Sequence, residues 1–198
     1  MRAPRTVAEI RSSILAAADR SLRWTGSPPL PQVHMLVEDC EHPYAGHVVL
    51  SRRPRGDDPT TAVAGLGVLP AVLGATRVVV AWDAATLPGC RPAPSGPCRL
   101  VMVDADRRDH AVTRHVYDIQ LSALSFVGVP GFVPRWRLES DSRRAPLPDP
   151  VDRLLTVWRH RWDRDVPRTV AALRRNGYRI HWSRPWRRWG GAALSAAS

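Results

Sequence analysis

The stretch VVVAW, residues 78 to 82, decides the fold, because its five consecutive apolar residues predict a strand that is buried on both faces. Such a strand lies in the middle of a sheet that is covered on both sides. The helical and strand patterns around it predict an α+β domain of order α-β-β-α-β-β-β, in which helices cover a mixed sheet. A basic C-terminal α-α-β segment is predicted to follow.

Helical patterns occur twice before this strand. Thr6 and Glu9 have the spacing of a capping box, and apolar residues then recur at helical intervals over about 6–24. Asp58, which stands before a proline, is a good N-cap for a second helix that is predicted to reach about residue 74, with a kink or an early end at Pro70. Turn signals and alternating apolar residues predict strands at about 32–39, 46–53, 99–105 and 110–121, and a further extended piece at 132–139.

The prolines of SDSRRAPLPDP, residues 140–150, predict a stiff extended connector after a core domain of residues 1–139. Residues 151–189 are predicted to form an Arg/Trp-rich helical segment that packs on the same core or stands apart from it. Residues 190–198 are predicted to be a flexible tail.

Three elements are predicted within the basic segment. Val151, Leu155, Trp158 and Trp162 fall on one face of a first helix. A second helix is predicted at about 166–176, closed by an Asn-Gly pair, and a half-buried strand follows at 178–182. The sequence therefore assigns several of the C-terminal tryptophans to a core.

The composition excludes several classes of enzyme. The chain has 29 basic and 18 acidic residues, a formal net charge of +11, and every basic residue is arginine. Without lysine it cannot form a Schiff base with a carbonyl or a pyridoxal cofactor, and it cannot hold a phosphate with a P-loop or kinase-type lysine. No cofactor is predicted.

The charge is concentrated near the C-terminus. Residues 151–190 contain eleven arginines and three aspartates, a net charge of +8. Such asymmetry indicates a polyanionic partner, because arginine matches phosphate bidentately and indoles stack on bases. The sequence therefore predicts a non-enzymatic binding or adaptor protein that contacts nucleic acid. The predicted contact residues are Arg153, His160, Arg164, Arg184, Trp186, Arg187, Arg188 and Trp189.

Two other partners fit the same segment. It is also typical of a protein-interaction or assembly subunit whose tail becomes ordered on a partner, with an apolar surface around Trp186 and Trp189. Arginine and tryptophan together also suit anionic lipid headgroups, which a segment so short would bind only weakly. No transmembrane segment is predicted.

A cluster of possible metal ligands supports a third alternative, a metal-dependent hydrolase. His34, Cys40, His42 and His47 could provide zinc ligands, although their spacing is not that of a known zinc finger or ribbon. Whether His47 joins the others depends on the register of the predicted hairpin, because a slip by one residue reverses its face. A turn around His42 explains part of the pattern without a metal.

A pair of aspartates and the three cysteines have simple explanations. Asp104 and Asp106 at a strand end could hold Mg²⁺, although hairpin turns often contain aspartates. The three cysteines are an odd number in a chain without a secretory signal, and Cys90 and Cys98 are too far apart for the usual zinc pair. Free thiols and a cytoplasmic location are therefore predicted.

Residues 43–83, PYAGHVVLSRRPRGDDPTTAVAGLGVLPAVLGATRVVVAWD, resemble a passage of uncharacterised actinobacterial proteins of no known function. The order of helix, strand pair, helix and central strand is also similar in layout to the JAB/MPN metallopeptidase fold, whose strand end carries His-x-His-Pro. Residues 51–54 read Ser-Arg-Arg-Pro at that place. Because two arginines would repel a metal ion, this second resemblance implies a non-catalytic relative.

Overall fold

The computed structural model describes residues 4, 6–50, 58–87, 98–122, 131–160 and 165–187. Its helices are α1 (Val7–Thr25), α2 (Pro59–Gly65), α3 (Val68–Val72), α4 (Asp149–Arg159) and α5 (Val166–Arg175). Its strands are β1 (Gln32–Leu36), β2 (Tyr44–Leu50), β3 (Arg77–Asp83), β4 (Cys98–Asp106), β5 (His110–Ser122), β6 (Gly131–Arg143) and β7 (Tyr178–Trp182). A 3₁₀ turn, Arg184–Trp186, follows β7. Among these residues, no helix combines the length and the apolar character needed to cross a bilayer.

The seven strands form one sheet in the order β6-β5-β4-β3-β1-β2-β7, with the VVVAW strand in the middle. The α+β class is therefore confirmed. The prediction of a mixed sheet is wrong, because every pairing between the described strands is antiparallel. The continuous apolar run of β3 reflects coverage of both faces, which a parallel sheet usually has and which this antiparallel sheet has as well.

Helices cover the two faces of the sheet unequally. On one face, the larger apolar cluster includes buried residues of α2, α3, α4 and α5. On the other face, α1 alone packs Ile10, Ile14 and Ala18 against β1, β3 and β4. The capping box at Thr6 and Glu9 is present, as predicted.

The second predicted helix is two short helices. Asp58 caps α2 as predicted, but the helix is interrupted at Leu66 and Gly67. Pro70 lies buried inside α3. The break agrees with the interruption predicted at Pro70, because proline has no N–H to donate to the carbonyl of Leu66 four residues earlier, and its ring crowds that carbonyl. A Cβ at position 67 would also meet the backbone oxygen of Leu154 in α4. Glycine lets the two backbones approach closely at this point.

Later strands also differ from the prediction. Four strands follow the second helical region instead of the three in the predicted order, because the extended piece at 132–139 is part of the longer strand β6. The strand β6 continues to Arg143, into the segment predicted as a connector, and α4 begins six residues later. The residues of α4 that enter the core are Val151, Leu154, Leu155 and Trp158.

Candidate nucleic-acid interface

The two C-terminal arginines that the structure describes are exposed. Arg184 belongs to the 3₁₀ turn and Arg187 directly follows it. Neither forms an ion pair with a carboxylate in the described part of the chain. Both guanidinium groups are therefore available to an anion in solvent.

Four more exposed arginines accompany this pair. Arg168, Arg174 and Arg175 lie on α5, and Arg179 lies on β7. All four are absent from the predicted contact residues, although the amphipathic pattern of α5 and the alternation in β7 place them off the buried face. Residues 165–187 thus hold six exposed arginines and one acid, Asp165, whose carboxylate accepts a hydrogen bond from the backbone N–H of Arg168.

Arginines elsewhere in the fold are more often neutralised. Ion pairs join Arg11 to Asp104 and Asp141, Arg23 to Asp19, Arg77 to Glu38 and Asp104, Arg99 to Glu139, and Arg144 to Asp109. None of the six arginines between residues 165 and 187 has such a partner among the described residues. We call the exposed arginines of α5, β7 and the 3₁₀ turn the basic edge, because β7 is an edge strand of the sheet and α5 packs against it; they are Arg168, Arg174, Arg175, Arg179, Arg184 and Arg187.

The structure gives Trp186 a structural role. Its side chain is half-buried, packs against the larger core cluster, and donates from Nε1 to the backbone oxygen of His42 over 2.8 Å. Because its polar edge is bonded to the fold, only the remaining exposed part of the ring can meet a ligand. Arg164, Arg188 and Trp189 lie outside the described residues.

The predicted contact residues Arg153 and His160 belong to α4, a different helix from the one that carries arginines of the basic edge. Arg153 is exposed and pairs with Asp149 one helical turn before it, with Nε 2.9 Å from the carboxylate. His160 is exposed at the C-terminal cap of the same helix. The helix α4 packs mainly against α2 and α3, and α5 packs against both α3 and β7. None of the six arginines of the basic edge lies on α4.

A column of three histidine rings connects β7 to the sheet. His34, His47 and His181 are directly opposite one another on β1, β2 and β7. Their rings stack, with centroids 4.8 Å apart for His34 and His47 and 4.7 Å apart for His47 and His181. The Tyr44 hydroxyl lies 2.9 Å from Nδ1 of His34 and 3.1 Å from Nδ1 of His47. We call these four side chains the histidine column.

Burial keeps the histidine column neutral. Burial, and after it the adjacent His47, holds the pKa of His34 well below its ordinary value. Burial and then His181 lower the pKa of His47 to about 4, and burial followed by Arg179 lowers the pKa of His181. Burial raises the pKa of the Tyr44 hydroxyl. Neutral imidazoles can stack closely, whereas three imidazolium ions at these distances would repel one another.

The four predicted metal ligands do not converge. His34 and His47 come together face to face, but Cys40 is exposed and His42 is exposed in the turn between β1 and β2. No group of three or more His, Cys, Asp or Glu side chains in the described ranges has an arrangement that could hold a metal ion. The stacking of His34 and His47, and their shared tyrosine, give these rings a structural explanation.

Arginines surround the two aspartates that were considered as Mg²⁺ ligands. Nε of Arg77 lies 3.4 Å from one oxygen of Asp104, and Nη2 of Arg11 lies 3.8 Å from the other. Asp106 accepts hydrogen bonds from the backbone N–H groups of Arg108 and Asp109, both over 2.7 Å, as an aspartate in a hairpin turn does. Guanidinium groups already provide the positive charge at this strand end.

Comparison with protein-family models, with curated proteins and with solved structures finds no match for this chain. The resemblance of residues 43–83 to uncharacterised actinobacterial proteins stays a prediction. The Ser-Arg-Arg-Pro motif at 51–54 lies outside the described residues.

Proposed function

We propose that this protein is a non-enzymatic, cytoplasmic nucleic-acid-binding or adaptor protein, and that it contacts phosphates through the basic edge. One observation carries the proposal: the six arginines of α5, β7 and the 3₁₀ turn are exposed, and none pairs with a carboxylate in the parts of the chain that the structure describes. Clustered, unneutralised arginine is the electrostatic footprint of a protein that binds a polyanion.

The rigidity of the basic edge supports the same proposal. The strand β7 pairs with β2 from Tyr178 to Trp182, and Ser183 fastens its end through hydrogen bonds to Ala45 and Tyr44. Arginines on a regular strand and helix keep their spacing, so each can meet a phosphate without first ordering a loop. The C-terminal α4-α5-β7 segment accordingly acts as part of the core and not as a separate tail.

The salt dependence of binding tests the proposal. If all six arginines meet phosphates, log affinity should fall with log salt at a slope of roughly −4 for single strands and −5 for duplex DNA. Replacing Arg179, Arg184 and Arg187 with glutamine should reduce the magnitude of this slope by about 2 to 3. Fluorescence anisotropy of labelled oligonucleotides across a salt series measures both values.

The matched control replaces three exposed arginines outside the basic edge, Arg20, Arg108 and Arg135, with glutamine. It changes the net charge by the same amount and should leave the slope nearly unchanged. Equal losses in the two triple variants would mean that binding follows net charge alone, and this would contradict the assigned surface. A salt-insensitive complex with a protein, retained in both variants, would support the assembly-subunit alternative instead.

A further inference from the structure

The helix α1 leaves part of its sheet face uncovered. Its buried side packs against Leu36 at the end of β1 and against β3 and β4, and it also contacts β6. The same face of β2, β7 and the start of β1 forms a step beside the helix. A groove of about 550 Å³ lies along this step, between the C-terminal half of α1 and the sheet. Its size is within the range of pockets that hold small organic ligands.

The lining of the groove is a mixture of apolar and polar groups. Ala17, Ser21 and Thr25 lie on one side of α1, and Val49 and Arg179 form part of the floor. The other lining residues are Pro28, Pro29, Leu30 and Gln32. The hydroxyl groups of Ser21 and Thr25 already donate to backbone oxygens, over 3.0 and 2.8 Å. No carboxylate lines the groove within the described part of the chain.

Two polar groups of the groove remain open to a ligand. The Gln32 amide forms no side-chain hydrogen bond with another described residue, and Arg179 has no ion-pair partner among them. A primary amide can donate and accept at once, as the edge of a nucleobase requires. A guanidinium can hold a phosphate. The groove thus offers a slot of mixed polarity, in which one amide and one guanidinium are open to a ligand.

The groove and the basic edge share Arg179. From this residue, His181 follows two positions later on the same face of β7, and Arg184 and Arg187 continue beyond the strand end. Five residues of strand span about 17 Å, so several phosphates of one nucleic-acid strand can lie along this line. Because Arg179 also lines the groove, a nucleotide whose phosphate binds Arg179 has its base within reach of the groove.

We propose that the ligand is single-stranded nucleic acid, and that the groove between α1 and β1, β2 and β7 takes one unpaired base. This inference rests on the proposed function, because Arg179 holds the phosphate of the nucleotide whose base enters the groove. Base insertion selects against duplex, since a paired base reaches such a pocket only after it is unpaired and unstacked. Single-strand binding proteins commonly combine a basic track with contacts to bases.

The test places a large side chain in the groove by a substitution on α1. Ala17 is exposed, so Ala17→Trp should fold and place an indole in the base slot, and Ala8→Trp is the matched control on the same helix outside the groove. The probes are a labelled 12-nucleotide single strand and a duplex of the same sequence. The parent should bind the single strand more tightly at equal salt, and Ala17→Trp should weaken that binding about tenfold without changing the salt slope. Ala8→Trp should bind like the parent.

The possible results distinguish a failure of the base slot from a failure of the proposed nucleic-acid binding. If Ala17→Trp binds the single strand as well as Ala8→Trp does, the base slot is excluded, while a reduced slope in the Arg179, Arg184 and Arg187 variant still supports the basic edge. Equal affinity of the parent for single strand and duplex also overturns the inference. If the parent binds neither probe, the proposed function itself fails. Should Ala17→Trp not fold, Val49→Phe fills the groove from the floor and replaces it.

Discussion

Replacing Trp158 with alanine is expected to lower the free energy of unfolding by about 3–5 kcal/mol. The indole is completely buried in the larger core cluster, and its Nε1 donates to the backbone oxygen of Ala75 over 3.1 Å. The guanidinium of Arg107 lies 5.0 Å from the ring centroid and also donates to the backbone oxygen of Trp158. Alanine leaves a large cavity and removes the donor to the Ala75 carbonyl. It also removes the aromatic ring against which the Arg107 guanidinium lies.

Trp24→Ala is the control for this change. Trp24 lies at the end of α1 and is 81% exposed, so its removal should change the free energy of unfolding by less than about 0.5 kcal/mol. Urea denaturation followed by far-UV circular dichroism measures both variants. A loss below 1 kcal/mol in Trp158→Ala would show that α4 is not packed in the core as the structure describes.

The same experiment tests whether the C-terminal segment is part of the core. Trp158 belongs to α4, but its partners Ala75 and Arg107 belong to the region before residue 140. Arg159 of α4 also donates to the backbone oxygens of Asp106 and Asp109 in the turn between β4 and β5. One cooperative unfolding transition is therefore expected, and Trp158→Ala should shift it as a whole. Two separate transitions would indicate a segment that folds independently.

Local patterns in the sequence predicted the elements whose signals are local. The apolar run at 78–82 predicted the central strand, the capping box predicted the start of α1, and the stripe Val151, Leu155 and Trp158 predicted the buried face of α4. Each of these depends on a few neighbouring residues. The interruption of the second helix was also predicted, because Pro70 removes the hydrogen bond to the carbonyl of Leu66 four residues earlier.

The pairing of strands that are far apart in the chain could not be predicted from the sequence. Stacking of His34 on His47 depends on the β1–β2 register, and stacking of His47 on His181 depends on a pairing between residues more than 130 positions apart in the chain. A close approach also permits the second pairing: Gly46 has a φ of +145°, and a Cβ there would meet the backbone oxygen of His181. A single sequence gives no direct evidence for such a pairing. Arg184 and Arg187 belong to the predicted contact residues, whereas the four arginines of α5 and β7 do not.

The histidine column is expected to make stability fall with pH below 6.5. His34 and His47 have folded-state pKa values below the ordinary value of 6.5, about 4 for His47, so the unfolded chain binds more protons in this window. Their stabilising contribution is complete above pH 6.5 and is lost as the pH falls toward the folded-state pKa. For His47 the loss is about 1.6 kcal/mol between pH 6.5 and 5, and His34 adds a loss in the same direction.

The variant His47→Asn isolates this effect. Asparagine places an amide near the position of Nδ1, so it can keep a hydrogen bond to the Tyr44 hydroxyl without titrating. The loss of stability between pH 6.5 and 5 should then be about 1.6 kcal/mol smaller than in the parent. Comparing variants is necessary because burial raises the pKa values of Asp83 and Asp104, which favours the folded state at low pH.

His42→Asn removes an exposed histidine from the turn next to the column and should lose stability with pH as the parent does. Urea denaturation at steps from pH 7 to 5 provides the free energies. Equal losses in His47→Asn and His42→Asn would exclude the column as the cause. Because His181 stacks on His47 from β7, protonation should loosen this strand before the centre of the sheet, so amide exchange in β7 should accelerate first as the pH falls. The stacking of neutral His181 on neutral His47 thus helps to fix β7, the strand that carries Arg179.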